Sequence, residues 1–374
     1  MQKNPFFPEI HGCLAFGCMR LPMKGNRVDE EEFCAMTDAF LASGFNYFDT
    51  AHGYIGGQSE TAVRACVSKR FARERFVLTD KLSDPYFQCE EDIRPFFESQ
   101  LQACGVEYFD FYLMHAQDHV NFEKFKQCRA YETAFALKKE GKIRHVGLSF
   151  HDKADVLDRI LTEYPAIEVV QIQLNYVDYE DAGVDSKNVY EVCEKHGKPV
   201  LVMEPVKGGH LAALPAVAQK VLDDLGGGSA ACYALRFAAD FPNVCAVLSG
   251  MSNMAQMTDN IGIMRDVKPL TAAEREAIAR VCAILKDESL IPCTACRYCV
   301  EGCPQKILIP DLFACMNAKQ VFHDWNQDYY YGDVLTSTNG KASDCIECGQ
   351  CEHICPQHLP IRDLLKQVAA EFEK

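Results

Sequence analysis

No apolar run in the chain reaches about 18 residues, so no membrane-crossing helix is expected. The opening residues, MQKNPFFPEIHGC, have neither the basic nor the apolar region of an export signal, which predicts a cytoplasmic protein. Positive charge is scarce: 38 Lys and Arg stand against 53 Asp and Glu, a formal charge of −15. A surface of that sign repels phosphate backbones, so nucleic acid is not an expected partner. No GxGxxG follows the first candidate strand, which weighs against a doubly wound open sheet built for dinucleotides. What remains is a 374-residue chain with 48% hydrophobic residues, enough for one large barrel plus a small module.

Cysteine, by contrast, is plentiful. Twenty cysteines without an export signal point to thiols or metal ligands in a reducing compartment. Twelve are scattered from Cys13 to Cys315 and read as small apolar core residues. The other eight fall in two copies of one pattern near the C-terminal end.

Short β-rich runs alternate with helical stretches through residue 265. The candidate strands are LAFGCM from Leu14, YFDTA from Tyr47, FVLTDKL from Phe76 and FDFYLMHA from Phe109, followed by HVGLSF from His145, VVQIQLN from Val169, PVLVMEP from Pro199 and VCAVLSG from Val244. Helical periodicity marks Glu30–Ser43, Glu90–Cys104, Phe122–Glu140 and Ala230–Ala239. Most of the β runs are apolar on both faces, as in a parallel sheet covered by helices. Eight such units predict an α/β fold, a (β/α)8 TIM barrel over residues 1–265.

Barrel chemistry sits at the C-terminal ends of the strands. There the sequence places Asp49, Tyr54 in the following loop, Lys81 and His115. Alone, each has an ordinary structural explanation. Together they form a complementary set on three successive strands. A phenol titrates near 10, too high for easy proton donation at neutrality, and a nearby ammonium should lower it. A buried lysine needs a counter-charge, which Asp49 can supply. His115 can orient a substrate carbonyl, and Tyr54 is then the expected general acid.

DTAHGYIGGQSE, LTDKL and FYLMHA resemble the Asp–Tyr–Lys–His motifs of the aldo-keto reductase family, with GLSFH, VVQIQLNYVD and VLSGMSNMAQMTDNI in the family's order behind them. The resemblance covers roughly residues 10–265. It implies NAD(P)H bound across the strand ends and a small carbonyl or alcohol substrate. It places Asp49, Ser149, Gln171 and Asn175 near the nicotinamide, and Gly250, Gln256 and Asn260 in the loop holding the adenosine end. Two departures stand out. NADPH-using members carry a Lys-Ser pair and an Arg in that loop, where this chain has Gly250, Met251 and Gln256, so NADH becomes plausible. GLSFH has Phe150 where the family has Asn, and Met203 and Glu204 occupy positions where many members place a stacking aromatic.

Past residue 265 the pattern changes. PLTAAEREAIARVCAILKD is a helix opened by a Thr271–Glu274 capping box and serves as a linker over residues 266–290. Then Cys293, Cys296, Cys299 and Cys303 show C-x2-C-x2-C-x3-C-P, and Cys345, Cys348, Cys351 and Cys355 repeat it. Structural zinc uses two distant C-x2-C pairs, whereas this run belongs to [4Fe–4S] clusters. The fourth cysteine of such a run ligates the other cluster. One set is therefore Cys293, Cys296, Cys299 and Cys355; the other is Cys345, Cys348, Cys351 and Cys303. Residues 291–374 resemble a dicluster ferredoxin module of the mainly helical kind, with helices at IPDLFACMNAKQVF and LPIRDLLKQVAAEFEK. Trp325 and Tyr329 to Tyr331 are expected to pack the module on the barrel.

The expected function is an oxidoreductase whose clusters serve an external redox partner protein. Hydride moves two electrons and each cluster moves one, so direct exchange needs a converter such as a flavin, for which no motif is evident. The alternative is an electron-transfer or docking protein whose barrel is inactive or uses a flavin. Substrate and oligomeric state have no signal in the sequence.

Overall fold

The computed structural model describes residues 4–181, 184–287, 291, 293, 295, 297–322, 325–355 and 359–374. Eight parallel strands close into a barrel: β1 Leu14–Gly17, β2 Tyr47–Asp49, β3 Val77–Leu82, β4 Phe109–Gln117, β5 Ile143–Phe150, β6 Val169–Gln173, β7 Val200–Met203 and β8 Val244–Gly250. Each strand pairs with its sequence neighbours, and β8 closes on β1 with Leu14 opposite Val247. All eight strand runs read from the sequence are strands of this barrel. A two-stranded antiparallel hairpin, Met23–Lys24 with Arg27–Val28, lies outside it.

The interior is filled by alternate strand residues, among them Ala15, Tyr47, Phe111, Leu113, Val169 and Leu201. Gly147 on β5 is required by this packing: a Cβ there would lie 2.5 Å from a Val169 methyl and 2.6 Å from the Val169 carbonyl oxygen. The outward face of the strands meets the helices in a second, larger core that includes Phe16, Phe40, Phe97, Tyr112 and Leu148.

Two sequence expectations change. The helical stretch Phe122–Glu140 is two helices, His119–Gln127 and Ala130–Lys139. The first starts early because Asp118 caps it, accepting from the amides of Val120 and Asn121. The break comes at Arg129, whose φ of 52° is left-handed and incompatible with a continuous helix. Not all twelve scattered cysteines are free thiols, either. Cys34 on the helix Glu30–Ala42 and Cys66 on the turn Arg64–Ser68 are disulfide-bonded, with Cα atoms 4.7 Å apart.

The helix Ala272–Asp287 is capped as expected: Glu274 accepts from the Thr271 amide, and Thr271 Oγ1 accepts from the Glu274 amide. It does not cross open space. Ile278, Val281 and Leu285 are buried with Leu211, Leu222 and Tyr233 of the barrel's outer layer. Beyond it the tail is mainly helical, with Ile309–Phe322 and Ile361–Phe372 as its longest helices. Its own apolar core holds Leu312, Phe313, Tyr330, Tyr331 and Leu365 together with Cys299 and Cys351. No helix among the described residues is long and apolar enough to cross a membrane.

The opposite end of the barrel is closed by the N-terminal segment. Phe7 packs edge-on against Phe111, with ring centroids 4.9 Å apart, and Glu9 reaches His145 on β5 at 2.6 Å. Glu168 holds the other imidazole nitrogen at 3.0 Å. Burial alone would depress the His145 pKa, but hydrogen bonds to Glu168 and Glu9 outweigh it and raise it to about 9. A histidine that binds its proton more tightly when folded contributes stability fully below its unfolded value of about 6.5 and loses it as pH climbs through its folded one. Thermal unfolding is therefore expected to show stability declining between about pH 6.5 and 9. His145→Gln should flatten that decline, and an identical slope in the variant would count against the Glu9–His145–Glu168 lock.

Candidate active site

The site lies at the C-terminal ends of β2, β3 and β4. Parallel register puts Asp49 opposite Thr79, and Lys81 opposite Leu113. Lys81 lies two residues beyond Thr79, so its long side chain reaches back across β2. The ammonium is fully buried and spends all three of its donors: Asp49 Oδ1 at 2.6 Å, the Thr50 carbonyl at 2.8 Å and Tyr54 Oη at 3.1 Å. Burial would strip its proton, but Asp49 first and Tyr54 next keep the Lys81 pKa above its ordinary value. Gln171 on β6 donates to the second carboxylate oxygen, Asp49 Oδ2, at 3.2 Å.

Tyr54 is aimed by an unusual turn. Ile55, Gly56 and Gly57 follow it with φ of 53°, 61° and 85°. Glycine takes such angles freely; a β-branched isoleucine does so at a cost, and Ile55 is held by packing against the main core. The expected lowering of the Tyr54 pKa is not found. Burial is the largest influence and raises it; Lys81 opposes this, Asp49 adds to it, and the phenol ends above its usual value.

His115 on β4 stands beside Tyr54, ring centroids 6.0 Å apart. Burial, then Lys81 and His151, hold its pKa well below the usual histidine value, so the ring is neutral. Its Nδ1 lies 2.6 Å from Ser83 Oγ. Among the described residues no hydrogen bond reaches Nε2. His151, just past β5, is a second depressed imidazole, brought to about 4 by burial and Lys81.

The residues matched to a nicotinamide site divide. Ser149 and Gln171 are partners in register on β5 and β6. Ser149 Oγ accepts from the Ala116 amide, which leaves its proton to give; Gln171 Oε1 is left to accept. Asn175 is used up inside the protein. Its amide donates to Asp178 and the Glu204 carbonyl, and its oxygen accepts from the amides of Val177 and Asp178. Gln256 accepts from the Ser252 amide, tying its own loop, and Asn260 donates to Ser249 Oγ at 2.7 Å. Gly250 lies under Arg20, whose side chain a Cβ there would meet at 3.3 Å.

Four residues near the mouth were not singled out by the sequence reading: Arg20, Ser83, His151 and Lys207. Arg20 sits three residues beyond β1 and 3.9 Å from Glu204. Lys207 is buried and bonded to Asp178 Oδ1 at 2.7 Å. Asp178 also accepts from Gln173 Nε2 at 2.7 Å. Strand-end position was the available cue for Ser83 and His151; the Lys207–Asp178 pair spans two loops and had none.

The tail rests on this same end of the barrel. Tyr330 Oη donates to Gln173 Oε1 at 3.2 Å, Thr338 contacts His119 at 3.0 Å, and the Lys207 ammonium lies 5.0 Å from the Phe322 ring. Tyr329 and Tyr330 both face His151. The packing expectation therefore holds for Tyr329 and Tyr330. Tyr331 turns inward, stacking on Phe372, and Trp325 is exposed.

Cys303, Cys345, Cys348 and Cys351 line one small cavity, walled also by Ile307 and Leu365. This is the mixed set expected from the ferredoxin pattern: one cysteine of the first motif with three of the second. Both loops share a backbone signature, too. Left-handed residues fall at the second and fourth positions after the first cysteine of each motif: Ala295 and Arg297, then Glu347 and Gly349. Cys293, Cys299 and Cys355 border the same module core. Cys296 lies outside the described residues. Thiolates on paired wrapping loops around a common cavity fit a [4Fe–4S] cluster.

Comparison with known proteins agrees with this division. The model of the Aldo/keto reductase family matches residues 13–283, and that of a 4Fe-4S dicluster domain matches residues 292–359. An NADH-specific methylglyoxal reductase of Escherichia coli (strain K12) is 28% identical over 185 residues, 45% of this chain and 54% of the relative. The chain thus spans about half of that relative's length. L-galactose dehydrogenase of Arabidopsis thaliana is 23% identical over 297 residues, 73% of this chain and 90% of the relative. Among solved structures, an aldo-keto reductase from Bacillus halodurans in its holo form has a TM-score of 0.59 at 24% identity, over 72% of this chain and 91% of its own. One from Klebsiella pneumoniae in complex with NADPH has a TM-score of 0.58 at 19% identity, over 72% and 90%. At such identities the structural likeness concerns the fold.

The buried Lys81–Asp49 pair makes a direct prediction. Asp49→Asn leaves an ammonium in the barrel interior without its counter-charge and should cost about 3–5 kcal/mol in denaturant unfolding. Adding Lys81→Met should recover most of that loss. An Asp49→Asn protein as stable as the parent would mean Lys81 is not charged in the fold.

Proposed function

Because the chain belongs to the aldo/keto reductase family, we propose that it interconverts small carbonyl compounds and alcohols with NAD(P)H, Tyr54 acting as general acid. The observation carrying this reading is the contact of Lys81 Nζ with Tyr54 Oη at 3.1 Å and Asp49 Oδ1 at 2.6 Å, beside a neutral His115. A bound nicotinamide supplies the hydride that adds to the carbonyl carbon. The chain's residues deal with the oxygen and its proton. His115 orients the carbonyl. Tyr54 gives its proton to the oxygen, and Lys81 donates to the phenolate as it forms. The raised pKa keeps the phenol protonated until that moment; the adjacent ammonium then lessens the cost of ionising it in a buried place.

The free Ser149 hydroxyl and the Gln171 carbonyl, side by side, offer a donor and an acceptor to a carboxamide. Gly250, Gln256 and Asn260 would form the adenosine loop. Gly250, Met251 and Gln256 carry no charge themselves, and Arg20, packed over Gly250, faces Glu204 at 3.9 Å; this reading favours NADH, in keeping with the specificity named for the Escherichia coli relative.

In the tail, Cys345, Cys348, Cys351 and Cys303 would hold one [4Fe–4S] cluster, and Cys293, Cys296, Cys299 and Cys355 the other. Clusters held there would supply one-electron exchange with a redox partner protein, from a module tethered to the reductase site with residues 266–290 as the connection. The complete tetrad, with Asp49 and Lys81 buried and Tyr54 and His115 half-buried at the strand ends, favours this over a docking protein with an inactive barrel.

Two measurements decide. Tyr54→Phe should lower carbonyl-dependent NADH or NADPH oxidation by at least about 100-fold, the usual scale of lost general-acid catalysis. An unchanged rate rejects Tyr54 as the acid. Anaerobically purified protein should contain about eight iron and eight sulfide per chain. Zinc without sulfide rejects the cluster assignment.

A further inference from the structure

Ser83 belongs to no motif that the fold or the proposed reaction has absorbed, yet its position is closely set. It follows β3 directly, and the register Lys81 opposite Leu113, Leu82 opposite Met114 carries Ser83 to the level of His115. Ser83 is 4% exposed, and its Oγ lies 2.6 Å from His115 Nδ1. We propose that Ser83 is a positioning residue that sets the tautomer of His115: its hydroxyl donates to Nδ1, so Nε2 carries the proton offered to a substrate carbonyl oxygen. This rests on the carbonyl-reducing reading above.

A neutral imidazole has one N–H and one lone pair, and the partner of one nitrogen decides the state of the other. The serine hydroxyl has one proton. Its competing acceptor, the Lys81 carbonyl, is 3.5 Å away, at the limit of a hydrogen bond, against 2.6 Å for Nδ1. The proton therefore goes to Nδ1. A third state, the doubly protonated imidazolium, is disfavoured by burial, by the Lys81 ammonium and by His151. Nε2, which no hydrogen bond reaches among the described residues, is left as the group facing substrate. The opposite tautomer would present a lone pair to the carbonyl oxygen and repel it.

The test uses the full-length protein, purified anaerobically and oxidised, with 15N-labelled histidine. His115→Gln identifies the His115 signals. The expected wild-type spectrum shows a neutral ring with Nδ1 bare and Nε2 protonated. Ser83→Ala should shift the signals toward a mixture of tautomers. It should also lower kcat/KM for a carbonyl substrate about tenfold, the scale of one hydrogen bond, with the KM for the nicotinamide unchanged. Ser83→Thr, which keeps the hydroxyl, should restore both. A wild-type ring protonated on Nδ1 overturns the proposal, as does Ser83→Ala with an unaltered spectrum and kcat/KM within about twofold. The spectrum is read without turnover, so it separates this proposal from the reductase reading, which stands or falls on Tyr54→Phe.

Discussion

An ammonium group with no access to water governs this barrel. Lys81 Nζ exists in the interior only because Asp49, the Thr50 carbonyl and Tyr54 take up its three protons. Taking an unpaired charge out of water costs several kcal/mol, so the pair cannot be loosened without loss. The requirement reaches outward. Asp49 must end β2 and Lys81 must stand next to the end of β3 for the two to meet. Gln171, across the barrel on β6, fixes the free oxygen of Asp49. The same charge then sets its neighbours. It helps hold both His115 and His151 neutral, and it is the nearest cation for any negative charge formed on Tyr54.

A second buried pair, Lys207 with Asp178, performs a comparable service in the loops beyond the strand ends. Asp178 gathers Lys207, Gln173 and Asn175. Gln173 passes the network to Tyr330 of the tail, and Phe322 covers Lys207 from the same side. The tail is thus not a bead on a string. It is seated by polar groups that the barrel has already ordered, over the strand ends where a barrel carries its chemistry. Its aromatic contacts and its cysteines share one apolar core.

The strands were legible because a parallel barrel buries both faces of each one, leaving apolar runs, such as the VCAVL of VCAVLSG, that a polar residue follows. The tetrad was legible for the same reason: polar residues at the ends of such runs stand out. Quantities decided by distance were not. The direction of the Tyr54 shift depends on whether burial or Lys81 is stronger, and the letters carry no burial. Asn175 looked available, yet its four hydrogen-bonding positions are filled by groups from two loops. Arg129 carries nothing that announces a left-handed residue inside a helical pattern. The Cys34–Cys66 bond needs two helical segments to cross, a tertiary fact. The cysteine motifs were legible because their spacing is itself the geometry: cubane corners a few residues apart.

The two motifs occupy unlike places. Arg297, inside the first, donates from one guanidinium nitrogen to both carboxylate oxygens of Asp311, at 2.9 and 3.0 Å, and Asp311 lies 3.6 Å from Lys153 on the barrel. The second faces outward, with Cys348, Ile346 and Ile354 exposed. One loop is anchored to the barrel by a chain of charges and the other meets solvent. Single electrons and hydride do not interchange without a converter. On the proposed reading, a module fixed at one loop and open at the other would keep the two kinds of traffic apart: proton and hydride chemistry around Lys81, one-electron exchange at the rim around Cys348. The contacts between them, Tyr330 to Gln173 and Asp311 to Lys153, hold the module in position.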